Sequence, residues 1–200
     1  MIFISYYTKN TPYEEVMNTH LLPSLEKFQL TYHIEAVEDM GGWQANTGYK
    51  CRFIKKMLEK YQQPVIFLDC DAVIEQPPNL FEELPKDVDI AVHFLSWFRF
   101  WRGQDNDSKK ELLSGTMFIN YTPNALVLLN DWIESVKNNP TKWEQRVLEE
   151  IVNNYSKPLK IYDLPIEYCT IIKQNGTIPA YIEHPVIIHH QASRKYKNKK

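Results

Sequence analysis

The sequence predicts an α/β domain in which a central, mostly parallel sheet is flanked by helices. Short β-branched or apolar runs alternate with segments of helical periodicity over the first half of the chain. The run Val65-Ile66-Phe67-Leu68 is apolar throughout, as expected of a parallel strand covered on both faces. No internal repeat or composition break marks a second domain, and 200 residues suit a single one. The expected division is one domain over 1–196 with a basic tail over 197–200.

The elements follow in order. Ile2-Phe3-Ile4-Ser5-Tyr6-Tyr7 predicts a buried strand. Thr11, Pro12 and Glu14 form a helix start: an N-cap, a proline at the first helical position and a capping-box carboxylate. Tyr13, Val16, Met17, Leu21, Leu25 and Phe28 share one face of that helix, with Pro23 as its kink point. Residues 30–37 alternate as a second strand, and Met40-Gly41-Gly42-Trp43 is a turn. Tyr49, Phe53, Ile54, Met57, Leu58 and Tyr61 keep helical spacing up to Pro64. Strands are expected at 65–68, 88–94, 116–120, 159–162 and 185–189. Thr122-Pro123 opens a helix that Asn138-Asn139-Pro140 ends, and Thr141 with Glu144 reads as a second capping box. Residues 98–113 are the one long polar stretch, a loop of functional length.

Composition narrows the function classes. A hydrophobic fraction of 44% with 24% charged residues excludes a disordered chain, a coiled coil and a collagen-like repeat. No apolar run approaches the roughly 18 residues of a membrane span. The start, MIFISYYTKN, lacks the basic and small-residue features of a signal peptide. Cys51, Cys70 and Cys169 are odd in number and widely spaced, so neither a zinc knuckle nor a disulfide framework is indicated. A soluble, cytoplasmic protein is the expectation. The last seven residues carry five positive charges and the rest of the chain a net of −7. That pattern suggests one local anion-binding end, with a solvated tail as the plain alternative.

The sharpest chemical signal is Val65-Ile66-Phe67-Leu68-Asp69-Cys70-Asp71, an apolar strand ending in two carboxylates. Ligands of open α/β sheets bind at the carboxyl ends of strands. Two acids there repel each other unless a cation joins them. Oxygen ligands suit Mg²⁺ or Mn²⁺, which also bridge phosphates. A solvated turn is the plain alternative.

The chain resembles the nucleotide-sugar glycosyltransferases of the GT-A fold. VIFLDCDAVI is similar to their hydrophobic strand and Asp-x-Asp signature. Ser114-Gly115-Thr116-Met117-Phe118-Ile119-Asn120 is similar to the small-residue strand that lines their sugar site. Trp143-Glu144-Gln145 sits where the family often has Asp-Gln or Glu-Gln at the head of a helix. Pro185-Val186-Ile187-Ile188-His189-His190 resembles the late strand ending in a metal-binding histidine. The four pieces keep the family's order over residues 1 to about 196, and the compact, retaining members are the most similar.

The resemblance implies a single GT-A-type, Rossmann-like domain and a role for each matched position. Asp69 and Asp71 would hold the metal, with His189 as third ligand, preferred over His190 because it lies closer to the apolar strand. Lys195 keeps the family's six-residue offset from the histidine to a phosphate-binding lysine, and Arg194 is its neighbour. The family's intervening glycine is absent from Gln191-Ala192-Ser193. Tyr6, Tyr7 and Thr8 occupy the place that receives the nucleotide base. Of Lys50 and Arg52, one would reach the diphosphate or ribose and the other face solvent. Gly115 would let a sugar approach the backbone, and Glu144 and Gln145 would meet sugar hydroxyls, although Glu144 also fits a simple cap. Trp97, Trp101 and Arg102 suit an acceptor lid, and Asp105, Asp107 and Glu144 are the carboxylates available as an inverting base.

The expected function is metal-dependent transfer of a sugar from a nucleotide-diphosphate sugar, a UDP-sugar, to a hydroxyl of a saccharide or glycan. One alternative is the same chemistry on hydroxymethylated pyrimidines of DNA, which an acidic body opposes. A metal-dependent nucleotidyltransferase or phosphohydrolase, or a non-catalytic nucleotide-binding module, are the rivals from other classes.

Overall fold

The computed structural model describes residues 1–106 and 109–197. The expected α/β architecture is present. The chain opens with β1 (Ile2–Thr8), then α1 (Pro12–Thr19), α2 (Leu21–Lys27) and β2 (Tyr32–Val37). Next come α3 (Trp43–Gly48), α4 (Lys50–Tyr61), β3 (Val65–Leu68), β4 (Ala72–Ile74) and α5 (Leu80–Glu83). The middle holds β5 (Ile90–Leu95), α6 (Trp97–Arg102), β6 (Glu111–Ile119), α7 (Pro123–Asn138) and α8 (Glu144–Asn153). It closes with β7 (Ile161–Asp163), β8 (Thr170–Ile171), β9 (Ile187–His189) and the short α9 (Ser193–Tyr196).

The main sheet runs β2-β1-β3-β6-β5-β7 and the small one β4-β9-β8. In the main sheet β6 is antiparallel to both neighbours, and the other pairs are parallel. Strand alternation sorts the core into two layers. Ile2, Ile4, Val65, Phe67, Met117 and Ile119 face α4, α7 and α8, where Phe53, Met57, Leu129 and Trp132 pack against them. Phe3, Ile66, Leu68 and Phe118 face the opposite way, onto Met17, Leu21, Leu25 and Phe81. Each large side chain buried in these layers contributes about 1.5–3 kcal/mol.

Three expectations need correction. The helix expected to run through a kink at Pro23 is two helices that break at His20. A proline ring clashes with the carbonyl four residues earlier, here that of Thr19, so the break falls before Pro23. The polar stretch 98–113 is not a continuous loop. It contains α6, capped by Ser96 and ended by Gly103 at φ 73°, and it contains the start of β6. Glu111 disguises that strand, because its carboxylate is buried with partners from elsewhere: Trp97 Nε1 at 2.6 Å, Gln145 Nε2 at 2.9 Å and Arg146 at 3.2 Å. Third, the Thr141–Glu144 capping box does not form. The helix α8 starts at Glu144, with Trp143 at its N-cap position and no side-chain cap.

Candidate active site

The carboxyl ends of β1 and β3 and the first half of the antiparallel β6 meet at one edge of the main sheet. They form a cleft of about 450 Å³. The hydroxyl of Ser5 ties the two parallel strand ends together by donating to Leu68 O at 2.7 Å. Beyond β3 the chain turns rather than continuing as a strand. Ala72 N–H donates to Asp69 O at 2.9 Å, and the chain then leaves for the small sheet in β4. Asp69 and Asp71 therefore sit at the junction of the two sheets. Strand pairing of Ala72 with His189 brings β9 beside them.

Asp69, Asp71 and His189 offer ligand atoms that all lie within 4.8 Å of one another. His189 is 2% exposed, and its Nε2 shares a hydrogen bond with Thr116 Oγ1 at 2.8 Å. Its Nδ1 lies 3.5 Å from Asp71 Oδ1 yet has no hydrogen-bond partner. The other Asp71 oxygen accepts from Ala192 N–H at 2.8 Å. The electrostatics follow. Burial and the neighbouring Asp71 carboxylate push Asp69 above the usual carboxylate range, against the pull of Lys50. Burial also acts to raise Asp71, but His189 and the Ala192 N–H hold it below its ordinary value. Burial lowers His189, and Asp71 and Cys169 outweigh it and push the imidazole up to about 10.

Behind the triad runs a buried chain of charge. Lys50, 3% exposed at the start of α4, places Nζ 3.0 Å from Asp69 Oδ1 and 2.9 Å from Glu144 Oε1. It also donates to Ser114 Oγ at 3.0 Å. The Ser114 hydroxyl donates in turn to Glu144 Oε1 at 3.2 Å, and its N–H to Gln145 Oε1 at 3.0 Å. Burial disfavours the ammonium, but the two carboxylates outweigh it and the Lys50 pKa is raised. Gly115 has no room for a side chain: a Cβ there would lie 2.9 Å from His189 Cε1 and 3.3 Å from Asp69 Oδ2. The glycine is thus required by the triad itself, ahead of any sugar.

The structure brings Tyr6, Tyr7, Thr8, Lys50, Asp69, Asp71, Gly115, Glu144, Gln145, His189 and Arg194 to this one cleft. Tyr6 is held within it: its ring packs 5.2 Å from Phe53 and 5.4 Å from Tyr49, and its hydroxyl donates to Asn46 O at 2.8 Å. Arg52 is not brought in, because it lies on the exposed face of α4. Neither is Lys195, whose Nζ sits 4.9 Å over the Tyr196 ring. Residues 193–196 form a helical turn, and positions three apart share a helix face. Lys197 is therefore on the side of Arg194 and lines the cleft, 5.7 Å from the ring of Trp43. Trp97 lines the cleft, but Trp101 and Arg102 are exposed beyond it. Asp105 lines a separate groove, and Asp107 and residues 198–200 lie outside the described residues.

Sequence reasoning passed over Thr116, which orients His189, and the pair Trp43 and Trp143, whose rings meet 5.7 Å apart in the cleft wall. Thr116 stood within the quoted strand but carried no separate signal. The two tryptophans are a hundred positions apart, and only α3 packing on α8 joins them. The three cysteines are free, and among the described residues no helix is long and apolar enough to cross a membrane.

Solved structures share this architecture. A glycosyltransferase involved in glycosylation of the major capsid of PBCV-1 is 15% identical, with a TM-score of 0.66 over 95% of this chain and 92% of that one. Mouse xyloside xylosyltransferase 1 is 14% identical, with a TM-score of 0.59 over 96% and 99%. The galactosyltransferase LgtC is 11% identical, with a TM-score of 0.55 over 96% and 87%. At these identities the likeness establishes the GT-A fold. No curated protein matches the sequence. The family profile of the nucleotide-diphospho-sugar transferases matches residues 28–200. A match over so much of the chain, on this fold, means that the protein belongs to the nucleotide-diphospho-sugar transferase family.

Proposed function

We propose that the protein transfers a sugar from a UDP-sugar to a hydroxyl of a saccharide or glycan, using a divalent ion held by Asp69, Asp71 and His189. The observation that carries this reading is Nδ1 of His189, buried without a hydrogen-bond partner and 3.5 Å from Asp71 Oδ1, while Thr116 engages the other ring nitrogen. A hydrogen bond to the other ring nitrogen is how a metal-ligating imidazole is oriented. One imidazole with two carboxylates suits Mn²⁺ better than Mg²⁺. When bound, the ion supplies Lewis-acid stabilisation of the departing diphosphate.

The remaining work falls to the chain's own groups. Arg194, whose guanidinium also donates to Ile172 O at 2.8 Å, and Lys197, just after α9, both line the cleft and would neutralise the leaving phosphates. Arg194 takes this role with Lys197 in place of Lys195. Lys50 pairs with Asp69 and keeps the buried charge of Glu144 compensated. Tyr7 and Thr8 offer an aromatic face and a hydroxyl to the base. A retaining outcome fits two of the three carboxylates offered as an inverting base, which are poorly placed among the described residues. Glu144 is 1% exposed and paired with Lys50, and Asp105 lies outside the cleft.

Thermal melting with UDP or GDP, each with Mn²⁺ or EDTA, tests the reading. Ligand at about 100 times its dissociation constant adds about 2.7 kcal/mol, a rise of about 5–10 °C for a chain of this size. The expected result is a Mn²⁺-dependent rise with UDP that is absent in Asp71→Ala. No rise with any combination sinks the proposal.

A further inference from the structure

A second groove, of about 290 Å³, lies on the other side of α6 from the cleft. One small apolar cluster separates the two: Leu95, Phe100, Leu113, Cys169 and Ile171, with Trp97 and Ile166 packed on it. Trp97, Leu113, Cys169 and Ile171 line the cleft, while Leu95 and Ile166 line the groove. The partition is thus this one cluster, with Phe100 lining neither side. Its outer edge is α6, which leaves Phe98 41% and Trp101 57% exposed.

The chemistry of the groove is that of a polyol site. His93 is buried, and its Nδ1 is engaged with Leu164 O at 2.7 Å. A carbonyl accepts only, so Nδ1 carries the proton and Nε2 of the neutral ring is left as an acceptor. Burial lowers the His93 pKa, in keeping with that neutral form. Across the groove the Arg99 guanidinium stacks 5.2 Å over the ring of Tyr181. Two cations, Arg99 and Lys110, face three carboxylates, Asp105, Asp163 and Glu167. A phosphate or nucleic-acid strand would meet net repulsion there. A neutral ligand dense in hydroxyls meets donors, acceptors and an aromatic face together.

We infer that this groove is a second saccharide subsite, which holds the distal units of an extended acceptor whose reactive end lies in the cleft. The inference rests on the transferase reading above, and α6 is the element that joins the two sites. A monosaccharide acceptor would use the cleft alone, and an oligosaccharide would use both.

An array of galactose-, glucose- and xylose-terminated saccharides, each printed as mono-, di- and tetrasaccharide, tests it on the full chain. The wild type is expected to hold tetrasaccharides of at least one series about tenfold more tightly than the matching monosaccharide. Tyr181→Ala is expected to bring that ratio to within about twofold, and so is Arg99→Gln, an exposed position where folding is not at stake. A wild type with no length dependence, or with no saccharide bound, overturns the inference, as do variants that keep the ratio. The UDP–Mn²⁺ melting shift is read on the same wild-type sample. Its absence counts against the donor site, whereas loss of the length effect alone counts against the groove.

Discussion

Two segments of the chain carry the same helix-start signature, Thr11-Pro12-Tyr13-Glu14 and Thr141-Lys142-Trp143-Glu144, and they fold differently. In the first, Thr11 Oγ1 accepts from Tyr13 N–H at 3.2 Å, and Glu14 reaches back to accept from Asn10 N–H at 3.0 Å. In the second, Thr141 is exposed, and the helix starts three residues later, at Glu144. Its carboxylate turns inward to Lys50 instead. Local capping is worth about 1 kcal/mol. Removing one partner of a buried ion pair costs about 3–5 kcal/mol. Where a distant charge competes for the carboxylate, the cap loses, and a residue that looks structural becomes a wall of the active cleft.

The comparison can be broken most severely at Glu144. Glu144→Ala leaves Lys50 with Asp69 as its one carboxylate partner, and about 3 kcal/mol of stability should be lost. Urea unfolding reads it, and a loss below about 1 kcal/mol would mean that Glu144 is a cap after all.

Gly115→Ala comes next, because it forces a methyl against His189 and Asp69. Overpacking of this kind costs about 1–3 kcal/mol. On the proposed reading it also removes most of the Mn²⁺-dependent rise with UDP. Equal melting of the variant and wild type with UDP and Mn²⁺ would contradict that.

The pH dependence of the metal-free protein sharpens the contrast on the far side of Lys50. The His189 pKa is raised from 6.5 to about 10, so its stabilisation is full below about 6.5 and lost as pH rises through about 10. The Asp71 pKa is lowered, so its stabilisation is present above its ordinary 3.8 and lost as pH falls through the lower folded value. In EDTA the wild type should therefore lose stability between pH 7 and 10 relative to His189→Gln. Parallel unfolding midpoints for the two would remove the pair from the account. On the proposed reading, divalent-ion affinity should rise over the same interval, because binding would displace the imidazole proton.

The smallest effects separate the two threonines. Thr11→Ala should cost about 1 kcal/mol in urea unfolding. Thr141→Ala should stay within about 0.5 kcal/mol. Equal costs would restore the second capping box.

Much of the molecule was legible before folding. The apolar run of β3 and its terminal acid pair, the inward faces of α4 and α7, and the Thr122-Pro123 start of α7 are written in neighbouring residues. Periodicity and caps act over one or two turns, so sequence alone carries them. The early start of β6 was hidden because Glu111 is satisfied by Trp97, Gln145 and Arg146, which arrive from other elements.

By itself the sequence determined an α/β chain with Asp69 and Asp71 at a strand end, since strand, turn and carboxylates are contiguous. Tertiary structure alone decided which partners those acids meet. Thr116 lies 73 positions from His189, and Ala192 lies 121 from Asp71. The pairing of β4 with β9 and the antiparallel course of β6 make them neighbours. It also decided that Lys197 rather than Lys195 faces the cleft, because one helical turn at α9 sets which positions share a face. Spacing along a chain names candidates, and the order of strands in the sheet brings them within bonding distance.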